Sequence, residues 1–566
     1  MAKPDISDAT TTKADQKRWR GRVLVLGLAF AGTMGMVAAR FGDLASKHDP
    51  SFAVETQKVA TPTEDLKRRV EIADRNGAPL AVGLRAYELY FDASKTYFPD
   101  DAAEAAARLA AALPGVEEEA LARRFARGGV TLVKRPATPA EAQAAHDLGL
   151  PGLHFTQRME RVAVGGRAFA HLLGQVDIDG IGRSGVEGAL EERLAATLEP
   201  APPVRLTIDA RVQRQTREAL AAEMAKTGAK GGAAVILEAD TGAVRALVSL
   251  PDYDPARPPK QAGALDESPL FARAVAGRYE LGSTFKIFTW ALALETGAAS
   301  LSSRYGPPEP FRVGRFTIAD DHPIRQPVSF AEAFAKSSNI VAARLALSVG
   351  KERQMSFLQA LGLFEPTGIE LVEAQGARPL WARPWGEATT ATAAYGHGVA
   401  VSPLHLAAAT AAVVNGGWRV RPTLLEPGPD ALSARPRALS LATSDAMRGL
   451  LRKVVTDGTG RRAEVPGLEV GGKTGTAEKP DPSGGYHDDK VIATFAAAYP
   501  MSRPRYVVVA MLDEAETSDG RRSAGLTAAP AARAVIERTA ALLGVAPTAP
   551  AEDADALPTA DVPADR

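Results

Sequence analysis

The stretch Tyr279-Glu-Leu-Gly-Ser-Thr-Phe-Lys-Ile-Phe288 sets Ser283 three residues before Lys286. On a helix such a pair shares one face, so the lysine amine could take the serine's proton and leave a nucleophilic oxygen. The same residues also read as an ordinary helix start: a Ser after a Gly, ahead of the apolar run Phe285, Ile287, Phe288, Trp290, Ala291 and Leu292. Two further groupings follow. Lys336-Ser337-Ser338-Asn339 gives S-x-N, and Gly472-Lys473-Thr474-Gly475-Thr476 gives K-T-G-T on an expected strand. Asn occurs only at 76, 339 and 415, and one of these completes the second grouping. A competing motif overlaps the third. Gly467 to Thr474 fits G-x-x-x-x-G-K-T, a phosphate-binding loop, which must open a helix directly after it. Pro480, Pro482 and the neighbouring glycines prevent that helix, which argues against nucleotide hydrolysis.

The elements that must position these residues are legible around them. Apolar runs at Ala233–Glu238 and Ala243–Ser249, joined by Asp240-Thr-Gly242, predict a hairpin. Leu468–Ala477, Ile492–Tyr499 and Tyr506–Leu512 predict three more strands, and a helix follows from about Pro530 to Leu543. Val204–Ile208 predicts a strand and Ala210–Lys226 a helix capped by Asp209. The middle reads as helical. Strands at both ends with helices between predict an α+β fold, one antiparallel sheet covered by helices. Before the joint Pro200-Ala-Pro-Pro203 lies a mixed region. It holds a hairpin around Arg75-Asn-Gly77, linking Val70-Glu-Ile72 to Leu80-Ala-Val82, and helices at Ala102–Ala112 and Val116–Arg127. Asp177-Ile-Asp-Gly180 reads as a turn, because it lacks the further acids of a calcium loop.

Composition narrows the function classes. The 566 residues are 45% hydrophobic, enough for proper cores. Lys plus Arg (67) balances Asp plus Glu (67), so no global field favours nucleic acid. The absence of cysteine removes disulfides, thiolate metal sites and a cysteine nucleophile together. The eight His residues are scattered and complete no ligand motif, so neither a metal nor a cofactor is expected. Val23 to Ala39 carries no charge and is bracketed by Arg22 and Arg40. This predicts a transmembrane helix at 23–39, with residues 1–22 as a basic cytoplasmic tail and everything after Arg40 exported. The rivals are a buried core helix and a cleaved signal peptide, since Val37-Ala38-Ala39 resembles a cleavage site. The expected domains are then 40–203, a non-catalytic pedestal; 204–545, the catalytic domain; and 546–566, a disordered tail rich in Pro, Ala and Asp.

In the order S-x-x-K, S-x-N, K-T-G, the three groupings match the set of penicillin-binding proteins and serine β-lactamases. The likeness continues through Ile72-Ala-Asp-Arg-Asn-Gly77, His171-Leu-Leu-Gly174, Gly185-Val-Glu-Gly188, Leu206-Thr-Ile-Asp209, Tyr395-Gly-His-Gly398 and Val401-Ser-Pro-Leu404. From the expected anchor to the C-terminal helix, the chain resembles the class B penicillin-binding proteins, peptidoglycan D,D-transpeptidases. Ser337-Ser-Asn339 is most like the division-specific type.

The resemblance implies a five-stranded antiparallel sheet flanked by helices, set on a pedestal. It implies that Ser283 attacks the carbonyl between the terminal D-alanines of a peptidoglycan stem peptide, while Lys286 takes the proton. The charge of Lys286 would be suppressed by burial or by Lys473 as a second cation. Ser337 would relay a proton to the departing amine, and Asn339 would align the substrate amide. Thr474 and Thr476, backed by Lys473, would hold the substrate carboxylate. The backbone N–H groups of Ser283 and Thr476 would form an oxyanion hole, and Gly475 would leave room for substrate to lie as an added strand. β-Lactam antibiotics would acylate Ser283 and stay. The family also implies a bacterial inner-membrane protein with a periplasmic catalytic domain. Its partners would be a membrane glycosyltransferase of the shape, elongation, division and sporulation class and other division proteins. Arg75 and Glu187 would brace the domain junction, and His397 would either pack or touch substrate. The alternatives are an elongation-type transpeptidase, a D,D-carboxypeptidase or lactam hydrolase, and a non-enzymatic antibiotic sensor or division scaffold. No Leu-Asn pair is present to supply the E-x-x-L-N glutamate of one lactamase type.

Overall fold

A computed structural model describes residues 13–46, 68–96, 101–195, 197, 199, 201–260, 264–314, 316–481 and 483–548. Contacts divide the chain into two compact units, Met1–Leu66 and Lys67–Arg566. The first contains helix α1 (Lys13–Ser46), which takes in the expected membrane segment. Its apolar side chains stand open, Leu24, Leu26, Leu28 and Phe30 at 65–70% exposure. Among the described residues, however, no helix is long and apolar enough to cross a membrane. The uncharged stretch rises only about 26 Å at helical pitch, short of a hydrocarbon core of about 30 Å.

In the second unit, β1 (Ile72–Ala73) and the long β2 (Pro79–Asp92) form the expected hairpin, and β3 (Val130–Ala137) and β4 (Leu153–Ala163) pair with β2. Helices α2 (Asp101–Ala112) and α3 (Glu118–Phe125) cover this pedestal sheet through Leu109, Leu121 and Phe125. The strand expected over Val204–Ile208 is shorter and belongs elsewhere. Only Val204–Arg205 (β5) pairs, and it runs parallel to β1 of the pedestal. Beyond it the backbone turns to let Thr207 bond Leu424 O and Asp209 cap α4 (Ala210–Thr227), which ends the ladder. Asp74 joins the two regions. Its carboxylate accepts the N–H groups of Asn76, Ala78 and Ala210, while Asn76 bonds Asp209. The pedestal and the catalytic region therefore share one compact unit rather than meeting at a loose joint at 203.

Strands β6 (Gly231–Glu238), β7 (Val244–Leu250), β8 (Gly471–Pro480), β9 (Tyr486–Tyr499) and β10 (Tyr506–Asp513) form one antiparallel sheet in the order β8-β9-β10-β6-β7. The two ends of the domain meet at β10 and β6, with Val509 opposite Val235. Alternate residues serve opposite faces, as a pleated strand requires. Val235, Leu237, Val507 and Val509 pack toward the helices from the middle of the chain. Ala234, Ile236, Val508 and Ala510 pack toward α4 and the C-terminal helix, which spans Ala528–Thr539. With both faces covered, these strands read as unbroken apolar runs. The expected tail lies outside the described residues from 549 onward.

Candidate active site

Ser283 is no helix cap. It lies in a 3-10 turn, Gly282–Phe285, whose following helix α5 (Lys286–Glu295) starts without any side-chain cap. In a 3-10 turn residues i and i+3 eclipse, which brings Lys286 Nζ to 2.9 Å from Ser283 Oγ. Helix α5 buries Ile287, Phe288, Trp290, Ala291, Leu292 and Ala293, so its apolar run belongs to a central helix. Lys286 is carried into that core with them, at 0% exposure.

The Lys286 amine has four neighbours within hydrogen-bond distance: Ser283 Oγ and Ser337 Oγ at 2.9 Å, Ser337 O and Asn339 Oδ1 at 2.6 Å. The last two can only accept and so fix two amine protons. A neutral amine then has one lone pair left, facing the two hydroxyls. Burial pushes the Lys286 pKa down to about 7, against the opposing pull of Asp321 and Asp320. Of the two causes expected, burial or Lys473 as a second cation, burial is the one that lowers it. Lys473, also at 0% exposure, is held well below its ordinary value by burial and then by repulsion from Lys286. Its amine bonds Ser337 Oγ and Thr474 O, each at 3.0 Å. Ser337 Oγ thus sits between two amines, placed to pass a proton.

Ser337 holds this place in a left-handed backbone conformation, φ 63°, which a non-glycine residue adopts only under constraint. Ser338 supplies part of the constraint as the cap of α6 (Asn339–Val349), bonding Val341 N. Asp320, which sequence reasoning missed, supplies the rest. It accepts from Ser338 Oγ at 2.9 Å and from Ile340 N at 3.0 Å. Asn339 Nδ2 donates to Ala319 O in the same loop. The Asp-Asp pair at 320–321 offered no motif in the sequence, only loop composition.

Lys473 to Thr476 lie on β8, an edge strand, so the phosphate-loop reading fails for want of a helix after Thr474. Thr474 and Thr476 face one cleft of about 360 Å³ together with Ser283 and Ser337. Thr459, also unforeseen, bonds Thr474 Oγ1 at 2.7 Å, and Thr476 Oγ1 accepts from Ala524 N. Gly475 has a packing reason that the sequence does not show. A Cβ there would lie 2.2 Å from Leu281 O and 2.9 Å from Thr284 N. Its bare Cα lets β8 press against the serine turn. Gly396 does the same on the far side, where a Cβ would fall 2.1 Å from Gly282 O.

His397 lines neither side of the cleft. It pairs with Glu280 at 3.2 Å and meets the edges of Tyr395 and Tyr486, so it packs. Glu187, expected to brace the domain junction, pairs instead within the pedestal, with Arg69 at 2.6 Å and Arg161 at 2.7 Å, whereas Arg75 reaches across the junction through its backbone, its N–H bonding Ile208 O.

Ser283, Ser337, Thr474 and Thr476 thus line one cleft, and the buried Lys286 and Lys473 bond its two serines from behind. The family description "Penicillin binding protein transpeptidase domain" matches residues 232–537, and "Penicillin-binding Protein dimerisation domain" matches 66–199. The chain belongs to the penicillin-binding proteins. The probable peptidoglycan D,D-transpeptidase FtsI of Caulobacter vibrioides is 40% identical, over 84% of this chain and 82% of that protein. The probable peptidoglycan D,D-transpeptidase PenA of Neisseria meningitidis is 31% identical, over 85% and 86%. Penicillin-binding protein 3 of Mycobacterium tuberculosis, solved with aztreonam, superposes with a TM-score of 0.65 at 26% identity, over 86% of this chain and 98% of that one. A penicillin-binding protein of class B with a transpeptidase domain on a pedestal accounts for both matched regions.

Proposed function

We propose that this penicillin-binding protein cross-links septal peptidoglycan as a serine D,D-transpeptidase. One observation carries the reading of its chemistry: the buried Lys286 amine lies 2.9 Å from both Ser283 Oγ and Ser337 Oγ. Neutral Lys286 takes the proton of Ser283 as Oγ attacks the carbonyl between the two terminal D-alanines. The N–H groups of Ser283 and Thr476 face the developing oxyanion. The tetrahedral intermediate collapses with the proton passing through Ser337 to the departing amine, and Lys473, on the other side of Ser337, supports that transfer. Thr474 and Thr476 hold the substrate carboxylate, and Asn339 aligns its amide. A β-lactam enters the same cycle and stops at the acyl-enzyme.

The exposed apolar side chains of α1 support attachment to the bacterial inner membrane, with residues 1–22 cytoplasmic and the catalytic region periplasmic. Cross-linking needs glycan strands made by another activity, which supports a membrane glycosyltransferase and other division proteins as partners.

Intact-protein mass spectrometry with benzylpenicillin tests the reading. A single stable adduct that maps to Ser283 and is missing from Ser283→Ala is the expected result. An adduct that persists in Ser283→Ala overturns the nucleophile, and one lost within minutes points to a hydrolase.

A further inference from the structure

The catalytic cleft does not end at its lysines. His322, Lys336 and Thr459 wall it, and the same three residues wall a second cleft of about 530 Å³ that continues past Ile324 and Arg325. Thr459 stands at the junction, bonded to Thr474. The second cleft is cationic. Arg325 and Lys336 are exposed along it, and Arg325 makes no hydrogen bond or ion pair among the described residues. The one acid in its lining, Asp457, is already paired with Lys453.

Transpeptidation needs two substrates, and its second half reverses the first. The acceptor amine must reach the acyl carbon from where the leaving amine departed. That departure point lies beside Thr474 and Thr476, with the second cleft opening directly behind Thr459. We propose that this cleft is the subsite for the acceptor peptide, and that Arg325 with Lys336 recognises an acidic group carried a short distance from the acceptor's amine. The proposal rests on the transpeptidase reading above and names the substrate half which that reading leaves open. In the step it serves, the amine nitrogen bonds the acyl carbon and the ester bond to Ser283 Oγ breaks. A proton from the amine returns to Ser283 Oγ by way of Lys286.

The full-length protein, acylated by a thioester analogue of the donor peptide, is offered glycyl-glutamate amide or glycyl-glutamine amide as acceptor, and aminolysis is measured against hydrolysis. Wild type is expected to favour the glutamate acceptor. Arg325→Glu is expected to lower aminolysis by that acceptor about tenfold. The glutamine acceptor and the rate of acylation by penicillin should be unchanged, and Arg325→Lys should keep the preference. Equal use of both acceptors by wild type, or equal loss of both in Arg325→Glu, overturns the subsite. Failure of wild type to be acylated at all is a separate result, and it removes the transpeptidase reading together with the subsite.

Discussion

Two fully buried lysines set the behaviour of the site at the residue scale. Lys286→Ala should slow acylation by penicillin about 100- to 10,000-fold without loss of fold, read by stopped-flow with a chromogenic β-lactam. Because Lys286 acts as a base with its pKa brought to about 7, the acylation rate should rise with pH through 7 and level off above it. A rate flat from pH 5 to 9 would remove Lys286 as the base. The same shift bears on stability. Between pH 7 and the ordinary lysine range, the unfolded chain holds a proton that the folded one has released, so this group's contribution to stability rises with pH across that window and is lost as pH falls. The sequence made Ser283, Lys286, Ser337, Asn339 and Lys473 legible because their order is specific, though each motif alone is short. It could not show Asp320 or Thr459, which act through hydrogen bonds to residues that are 18 and 15 positions away.

At the scale of elements, the serine turn is gripped by backbone on both sides, β8 through Gly475 and the 395–398 loop through Gly396. Gly475→Ala should therefore destabilise by at least about 1–3 kcal/mol through overpacking, and should slow acylation by moving the turn, both measurable by denaturation and penicillin labelling. Asp320→Ala removes one side chain from the cleft wall and should release the strained Ser337 turn. We expect a cost of about 1–3 kcal/mol and an acylation rate well below wild type, with Asp320→Asn recovering part of it. Acylation at the wild-type rate in Asp320→Ala would show that Ser337 is held by other means. The strands were readable from their apolar runs, as was the helix after Asp209. The 3-10 turn at Ser283 was not, because Ser after Gly before an apolar run carries the same signal as a helix cap. At Gly475 the sequence shows the missing side chain but not the serine-turn backbone that forbids one.

Taken as a whole molecule, the unit from Lys67 onward ties its pedestal to the catalytic region through the buried Asp74 carboxylate and the pairing of β5 with β1. Glu187→Ala would leave Arg69 and Arg161 buried without their common partner, a loss of about 3–5 kcal/mol. Calorimetry should show one cooperative transition moved downward. A pedestal melting separately from the penicillin-binding region would refute the single unit. Composition and the Pro-rich joint suggested two domains, and the pairing of β5 with β1 together with the Asp74 and Asn76 bonds shows that the boundary is bridged. The central sheet has a further consequence, for synthesis. Strand β6 emerges early, but its partner β10 follows more than 250 residues later. Until Asp513 is available, β6 offers an unpaired apolar edge, a target for misassembly and proteases during synthesis. Messages cut short before that codon should yield degraded chains and no fragment that penicillin labels.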